Sequence, residues 1–442
     1  MVTTFFFLLA CFLPLAVLAS KKVFPYHYSI DDFPNGLRLI TVPTDYPNLV
    51  ALYIVVQAGS RNEVEPGKSG FAHLFEHLMF RGTDRFSPEK YGEILKLAGA
   101  DHNAYTTDDR TAYHIVFSKE DLDQIMLIEA DRFQSLKVPI DQFKTETKAV
   151  LGEYNKNSSD PVNKLVEVLR ETAFDAHTYK HTTMGFITDI ENMPNMYYYS
   201  LEFFDRYYRP ENTTLILAGD VSREGVLPIV KKYWENWDRG HYVPVIPVEP
   251  EQTQERTAKV VWPTPTLPWI MAAYKGPAFS DRQKDMAAMD LISSLGFSES
   301  SPLYQRLVVS EQKVDALFPL FEDRRDPYLV IAAARVKDAK DMDYVLGVII
   351  ETFESFKIQT VSAELLEDVK SNLRYAFALS LDNSDSIAST LASFLGTQRD
   401  PETINRLFDV YASVTPDDLR AIANRYFLAA NRTIATLLDS ES

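Results

Sequence analysis

The sequence predicts an α+β protein of two similar halves, each a mainly antiparallel sheet with helices. Three observations carry this. At 442 residues the chain exceeds what one core fills, so at least two domains are expected. Strand-like runs followed by helical ones occur in residues 28–220, and the same order returns after residue 258. Between them His241–Thr257 carries Pro244, Pro247 and Pro250 among acidic and polar neighbours, which is the composition of a linker. The expected organisation is a first domain at 20–243, a linker at 244–257 and a second domain at 258–442. A hydrophobic content of 46% with 12% aromatics excludes a disordered chain. The net charge of −17 argues against nucleic acid or an anionic membrane as partner and fits a soluble surface.

Residues 1–19 lack charged side chains, and an apolar run from Phe5 to Leu18 ends in Val17-Leu18-Ala19. This resembles a secretory signal peptide cleaved before Ser20, so a periplasmic or secreted protein is expected. Two features depart from that pattern. The start has no Lys or Arg, and Leu8-Leu9-Ala10-Cys11 faintly resembles a lipoprotein cleavage box. The apolar run continues past Cys11, which favours ordinary cleavage. Pro14 interrupts a run already too short for a membrane span. Cys11 is the sole cysteine, so the mature chain has no disulfides and rests on packing.

From Tyr28 to Gln57 the pattern is strand-like. Leu37–Val42 follows the Asn35-Gly36 turn signal, and Leu49–Val56 is rich in β-branched and aromatic residues. A helix is expected from about Ser69 to Phe80. There His73, Glu76 and His77 share one face, while Leu74, Phe75, Leu78 and Met79 cover the others. Two imidazoles one turn apart can hold one zinc ion, and a neighbouring carboxylate can take a proton from the water it activates. H-x-x-E-H is the inverted form of the H-E-x-x-H zinc motif. A helix core would not place three titratable groups on one stripe without a partner.

Ser87-Pro88 starts another helix, with Ser as N-cap and Pro at N1, ending near Gly99. Asp101–Thr107 precedes a strand at Thr111–Ser118, and Ser118–Asp121 opens a helix to about Leu136. The next helix, Asp141–Lys156, carries Glu146 and Glu153 seven residues apart, hence on one face. A catalytic zinc needs a third protein ligand, and this helix can supply it. Val162–Phe174 is helical. His177 and His181 lie in a loop-like stretch, and no second metal is expected there. Asn195–Tyr208 is an aromatic-rich helix whose tyrosines read as core, followed by a strand at Thr213–Ala218. In the second half, strands are expected at Lys259–Trp262, Trp269–Tyr274 and Ile331–Val336. Helices are expected at Arg282–Leu295, at Phe356–Leu381 as one long element, and after the Thr415-Pro416 cap.

The chain resembles the pitrilysin family of zinc metallopeptidases in its shorter form. H-x-x-E-H is followed after about 70 residues by E-x(6)-E, as in that family. Phe33–Arg38, Ala58–Glu63, Phe80-Arg81-Gly82-Thr83 and Asn103-Ala104-Tyr105-Thr106 read like its landmarks in order. The resemblance implies two homologous α/β-sandwich halves of the pitrilysin/LuxS-like metallohydrolase type. It also implies a zinc endopeptidase acting on short or unfolded peptides held between the halves. One zinc per chain would be held by His73, His77 and Glu153, with Glu76 as general base and Glu146 braced against a ligating imidazole. The substrate would lie extended along the strand of Asn103, Ala104, Tyr105 and Thr106, whose free edge offers backbone groups. His102 matches no metal position of the family. The rival readings are a non-catalytic pitrilysin-like subunit and a binding protein with a structural zinc.

One departure stands out. Active single-chain relatives carry an Arg and, seven positions on, a Tyr, both of which stabilise the oxyanion. The aligned positions here are Val308 and Asp315, and neither can donate to an anion. Arg306 is offset to another side of its helix. The resemblance therefore implies a heterodimer in which a second pitrilysin-like subunit supplies the Arg and Tyr, with a homodimer or an active lone chain as alternatives.

Overall fold

The computed structural model describes residues 22–440, so the expected leader at 1–19 lies outside the described residues. The first half forms a six-stranded sheet from β1 (Ser29–Asp32), β2 (Arg38–Pro43), β3 (Leu49–Val56), β4 (Asp101–Thr106), β5 (Thr111–Ser118) and β6 (Thr213–Gly219). Their order is β1-β2-β6-β3-β5-β4, antiparallel except for β2 with β6. Its helices are α1 (Phe71–Leu78), α2 (Pro88–Leu97), α3 (Leu122–Ser135), α4 (Ile140–Asn157), α5 (Pro161–Ala173), α6 (Ile187–Asn192), α7 (Tyr197–Tyr207) and α8 (Arg223–Trp234).

The second half repeats the plan with β7 (Arg256–Trp262), β8 (Trp269–Lys275), β9 (Val314–Leu320), β10 (Leu329–Val336) and β11 (Arg432–Asp439), ordered β7-β11-β8-β10-β9. Its helices are α9 (Lys284–Phe297), α10 (Pro302–Tyr304), α11 (Met342–Ile358), α12 (Ala363–Leu379), α13 (Ser384–Leu395), α14 (Thr403–Ser413) and α15 (Pro416–Tyr426). The long helix expected at Phe356–Leu381 is in fact the end of α11 and all of α12. Gln359 is extended and breaks the run, and the Ser362 hydroxyl caps α12 by accepting from Leu365 N–H at 3.2 Å. The apolar pattern is continuous across the break, which is why the sequence reads as one element.

The central strands β3 and β6 are buried almost throughout, because both faces of their sheet are covered. On one face lie the first half's own helices, with Phe71, Ile125, Phe203 and Val226 in the core. The other face, with Ala51, Tyr53, Val55 and Ile216, packs on Ile387, Leu391 and Leu395 of α13, a second-half helix. The exchange is reciprocal. Leu165, Leu169 and Ala173 of α5 pack on Met271, Ala273, Ala435 and Leu437 of the second sheet.

The hairpin tips of the two sheets also meet. The β4–β5 turn, Asp108-Asp109, abuts the 321–328 loop between β9 and β10. Asp108 Oδ1 accepts from Arg170 Nη2 at 2.8 Å, and its Oδ2 lies 3.0 Å from Arg324 Nε. Asp109 accepts from Tyr179 Oη at 2.7 Å and from the Arg325 N–H at 3.0 Å. Asp326 completes the clasp with Arg61 at 2.5 Å and His177 at 3.0 Å. Burial opposes the charge on Asp108, yet Arg170 and Arg324 hold its carboxyl well below the usual range. Removing one partner of a buried ion pair costs about 3–5 kcal/mol. Asp108→Asn should therefore lower stability by about that amount in urea unfolding, because Arg170 loses its carboxylate. An unchanged midpoint would mean that the clasp contributes nothing to stability.

Candidate active site

Helix α1 starts at a glycine. Gly70 has φ +89°, and a Cβ there would lie 2.7 Å from the Met184 carbonyl, so no capping side chain can stand at this position. The cap comes instead from Glu63, seven residues earlier. Its Oε2 accepts from Gly70 N–H at 2.8 Å and its Oε1 from Ala72 N–H at 2.7 Å. Ser69 is tied to Asp189 of α6 and to the Phe186 N–H, so the start of α6 is fastened to the same helix end. Burial raises the Glu63 pKa to about 8, against the two N–H bonds that favour its charge. Phe71, Leu74, Phe75 and Leu78 bury the opposite faces, with Phe75 stacked on Phe203 at 5.3 Å. That leaves His73, Glu76 and His77 facing α4 and β4.

His73 Nε2 lies 3.6 Å and His77 Nε2 3.4 Å from the same oxygen, Glu153 Oε2. The three ligand atoms fall within 4.8 Å of one another, the sole such group of three among the described residues. These separations are long for hydrogen bonds. They suit a shared cation, since tetrahedral bonds of about 2.0–2.1 Å put neighbouring ligands about 3.3–3.4 Å apart. Two imidazoles and one carboxylate form a donor set that fits zinc. Burial, and then the proximity of His77, lower the His73 pKa to about 4, so this ring is neutral at pH 7, as a metal ligand must be. Interaction with Glu146 holds His77 above its ordinary value.

Glu146, two turns before Glu153, is buried. Its Oε2 is 3.8 Å from His77 Nδ1, and its Oε1 pairs with Arg81 Nε at 2.8 Å. Burial opposes its charge, but His77 and Arg81 together lower its pKa. His73 Nδ1, by contrast, is buried without a hydrogen-bond partner. Glu76 Oε2 accepts from the Thr106 hydroxyl at 2.7 Å, and burial raises its pKa.

Asn103, Ala104, Tyr105 and Thr106 all lie on β4, the edge strand of the sheet. Thr107 N–H donates to Arg110 O at 2.8 Å and closes the hairpin. Hydrogen-bonded pairs alternate in an antiparallel ladder, so Tyr105 and Asn103 face β5 while the N–H groups of Thr106 and Ala104 point outward. The Ala104 N–H is taken by the Asn103 side chain at 2.9 Å. A cavity of about 420 Å³ opens beside this edge, lined by His73, Glu76, Thr106 and Glu153, by Asn163 and Glu167 of α5, and by the 182–184 loop.

The other singled-out residues lie elsewhere. His102 is exposed on β4 beside Phe80 and Tyr91. His177 belongs to the clasp, and His181 sits 3.7 Å from Glu63. Val308 packs against the second-half core, Asp315 accepts from Arg335 at 2.7 Å, and Arg306 is held by Glu311 and Tyr344. Sequence reasoning missed Glu63 and Arg81. Both stand in segments already recognisable as landmarks, and the signal was a titratable residue within each.

Residues 39–186 match the family described as Insulinase (Peptidase family M16), and residues 200–373 match the Peptidase M16 inactive domain. Together these regions cover well over half of the chain. The chain is 29% identical to the zinc protease PqqE of Helicobacter pylori over 432 residues, covering 96% of this chain and 95% of that protein. A crystal structure of a protease from Helicobacter pylori superposes with TM-score 0.87 at 28% identity, covering 93% of this chain and 99% of the other. The periplasmic protease PqqL from Escherichia coli shares the fold with TM-score 0.77 at 19% identity, covering 94% of this chain but 48% of that one.

Glu63→Ala would leave the buried Gly70 and Ala72 N–H groups unsatisfied, at about 1–3 kcal/mol each. Thermal unfolding should show a loss of at least that size. A melting temperature within a degree of wild type would mean that another acceptor replaces the carboxylate.

Proposed function

The chain belongs to peptidase family M16, and on that premise we propose that it is a zinc-dependent endopeptidase cleaving short or unfolded peptides. One observation carries the reading: two imidazole Nε2 atoms and a carboxylate oxygen converge beside a second carboxylate, at the free edge of a sheet. His73, His77 and Glu153 hold the zinc. When bound, it supplies Lewis-acid polarisation of the scissile carbonyl and lowers the pKa of water towards about 7. Glu76 accepts the proton of the attacking water on its carboxylate and passes it to the leaving amine. Its raised pKa favours this exchange, because a base too acidic would hold the proton poorly. Glu146, anchored by Arg81, fixes the tautomer of His77. The substrate adds as a strand along β4, where Asn103, Ala104, Tyr105 and Thr106 lie, beside the cavity walled by α5. Among the described residues no helix is long and apolar enough to cross a membrane. The uncharged leader and the periplasmic relative support export.

Glu76→Gln should keep zinc and lose about 10²–10⁴-fold in peptide cleavage. Glu153→Ala should lose the metal itself, and Glu146→Gln should weaken it by about 10–100-fold. Metal content after dialysis and a quenched-peptide assay read both effects. Turnover near wild type in Glu76→Gln would sink the mechanism, and full occupancy in Glu153→Ala would move the third ligand elsewhere.

A second part of the proposal is that the working form is a heterodimer. It is favoured by Val308 and by Asp315, already paired with Arg335, standing where oxyanion donors are expected. The span of PqqL, of which this chain covers 48%, also favours a unit of two such lengths. Zinc-loaded chain alone should then cleave poorly and gain about 10²–10³-fold when a second pitrilysin-like subunit carrying the Arg and Tyr is added. Full activity of the lone chain would remove the heterodimer and leave the peptidase; a homodimer would appear as activity rising with concentration.

A further inference from the structure

We infer that Thr106 is a positioning residue for Glu76, its hydroxyl serving this carboxylate and not substrate. The inference rests on Glu76 acting as the base. Thr106 lies among the four β4 residues expected to contact substrate, but its hydroxyl is already engaged. It donates to Glu76 Oε2 at 2.7 Å, while the Thr106 N–H faces outward from the ladder. The next outward N–H, that of Ala104, is held only by the side chain of its neighbour Asn103, which can swing aside. A peptide adding to the edge therefore meets the carboxylate of Glu76 beside Thr106.

The anchor is itself fixed. Thr106 pairs with Thr111 at the end of the hairpin, and the two residues of the turn, Asp108 and Asp109, are clasped by Arg170, Tyr179, Arg324 and Arg325. The position of the Thr106 hydroxyl is thus set by both halves of the chain. A glutamate side chain has three rotatable bonds and gives up rotamer freedom when ordered. With Oε2 fastened in this way, Oε1 is presented to a water in one orientation. Without the hydroxyl, the carboxylate samples others that do not meet the water. The second half then serves catalysis through the clasp and Thr106, as a support for the base.

The test separates positioning from substrate binding and from folding. Thr106→Val keeps the N–H and the shape and removes the hydroxyl, whereas Thr106→Ser keeps the hydroxyl. In the full chain, with the second subunit if cleavage requires it, Thr106→Val should lower kcat by about 10–100-fold, the worth of a hydrogen bond to a charged group. KM and zinc content should stay within about twofold of wild type, limits well below one such bond. Thr106→Ser should restore most of kcat. A crystal structure of the zinc-loaded Thr106→Val chain should show the Glu76 carboxylate rotated or spread over several positions. A rise in KM with kcat unchanged would make Thr106 a substrate contact and overturn the inference. So would an unmoved Glu76 with wild-type kcat. If Glu76→Gln in the same assay is inactive while Thr106→Val is fully active, only the positioning role fails. If Glu76→Gln is itself active, the reading of Glu76 as base fails first.

Discussion

Each sheet of this protein has two apolar faces, and each half has helices to cover only one. That constraint organises the rest of the structure. A sheet with strands such as Leu49–Val56 cannot leave a face to water, so it must find a partner layer. Here each half lends a helix to the other: α13 lies on the first sheet and α5 on the second. The two halves are thus joined by hydrophobic burial and cannot hinge freely about the segment between α8 and β7, although the strands divide cleanly between them.

The exchange also builds the site. One side of α5 is buried on the second sheet through Leu165 and Leu169, and the other presents Asn163 and Glu167 to the cavity beside His73 and Glu153. The helix that ties the halves together is therefore a wall of the cavity at the candidate site. Close to it, Arg170 of the same helix reaches Asp108 at the tip of the edge-strand hairpin. Packing, clasp and site are linked through about three turns of helix. The proposed function asks for an extended chain held against a fixed edge, and a rigid hairpin serves that need better than a mobile loop.

Electrostatics complete the arrangement. Three acidic side chains do different work in nearly the same place because their surroundings differ. Glu63, enclosed and facing two N–H groups, is a helix cap. Glu146, flanked by His77 and Arg81, carries a stabilised charge. Glu76, half enclosed and held by one hydroxyl, keeps a raised pKa and access to the cavity. The differences arise from burial and partners alone, since the three side chains are chemically identical.

Much of this was legible in the sequence. The spacing of His73, Glu76 and His77 fixes their common face, because a helix has 3.6 residues per turn wherever it forms. The spacing of Glu146 and Glu153 does the same, and the strand and cap signals at Asn35-Gly36, Ser87-Pro88 and Thr415-Pro416 are local chemistry that tertiary contacts did not override. The break at Gln359 was not legible, because an apolar pattern does not reveal where one helix ends and a parallel-phased one begins. Nor were the cap from Glu63, the Arg81 pair or the bond from Thr106 to Glu76, which join residues 7, 65 and 30 positions apart. The same holds for the exchange of α5 and α13. Periodicity says that a helix has an apolar face and is silent about which sheet receives it. By itself the sequence determined most of the elements, the H-x-x-E-H pattern and the two-half plan, which depend largely on local geometry. The tertiary structure alone decided which half covers which sheet and what holds Glu76 in place, because those depend on contacts between segments far apart in the chain.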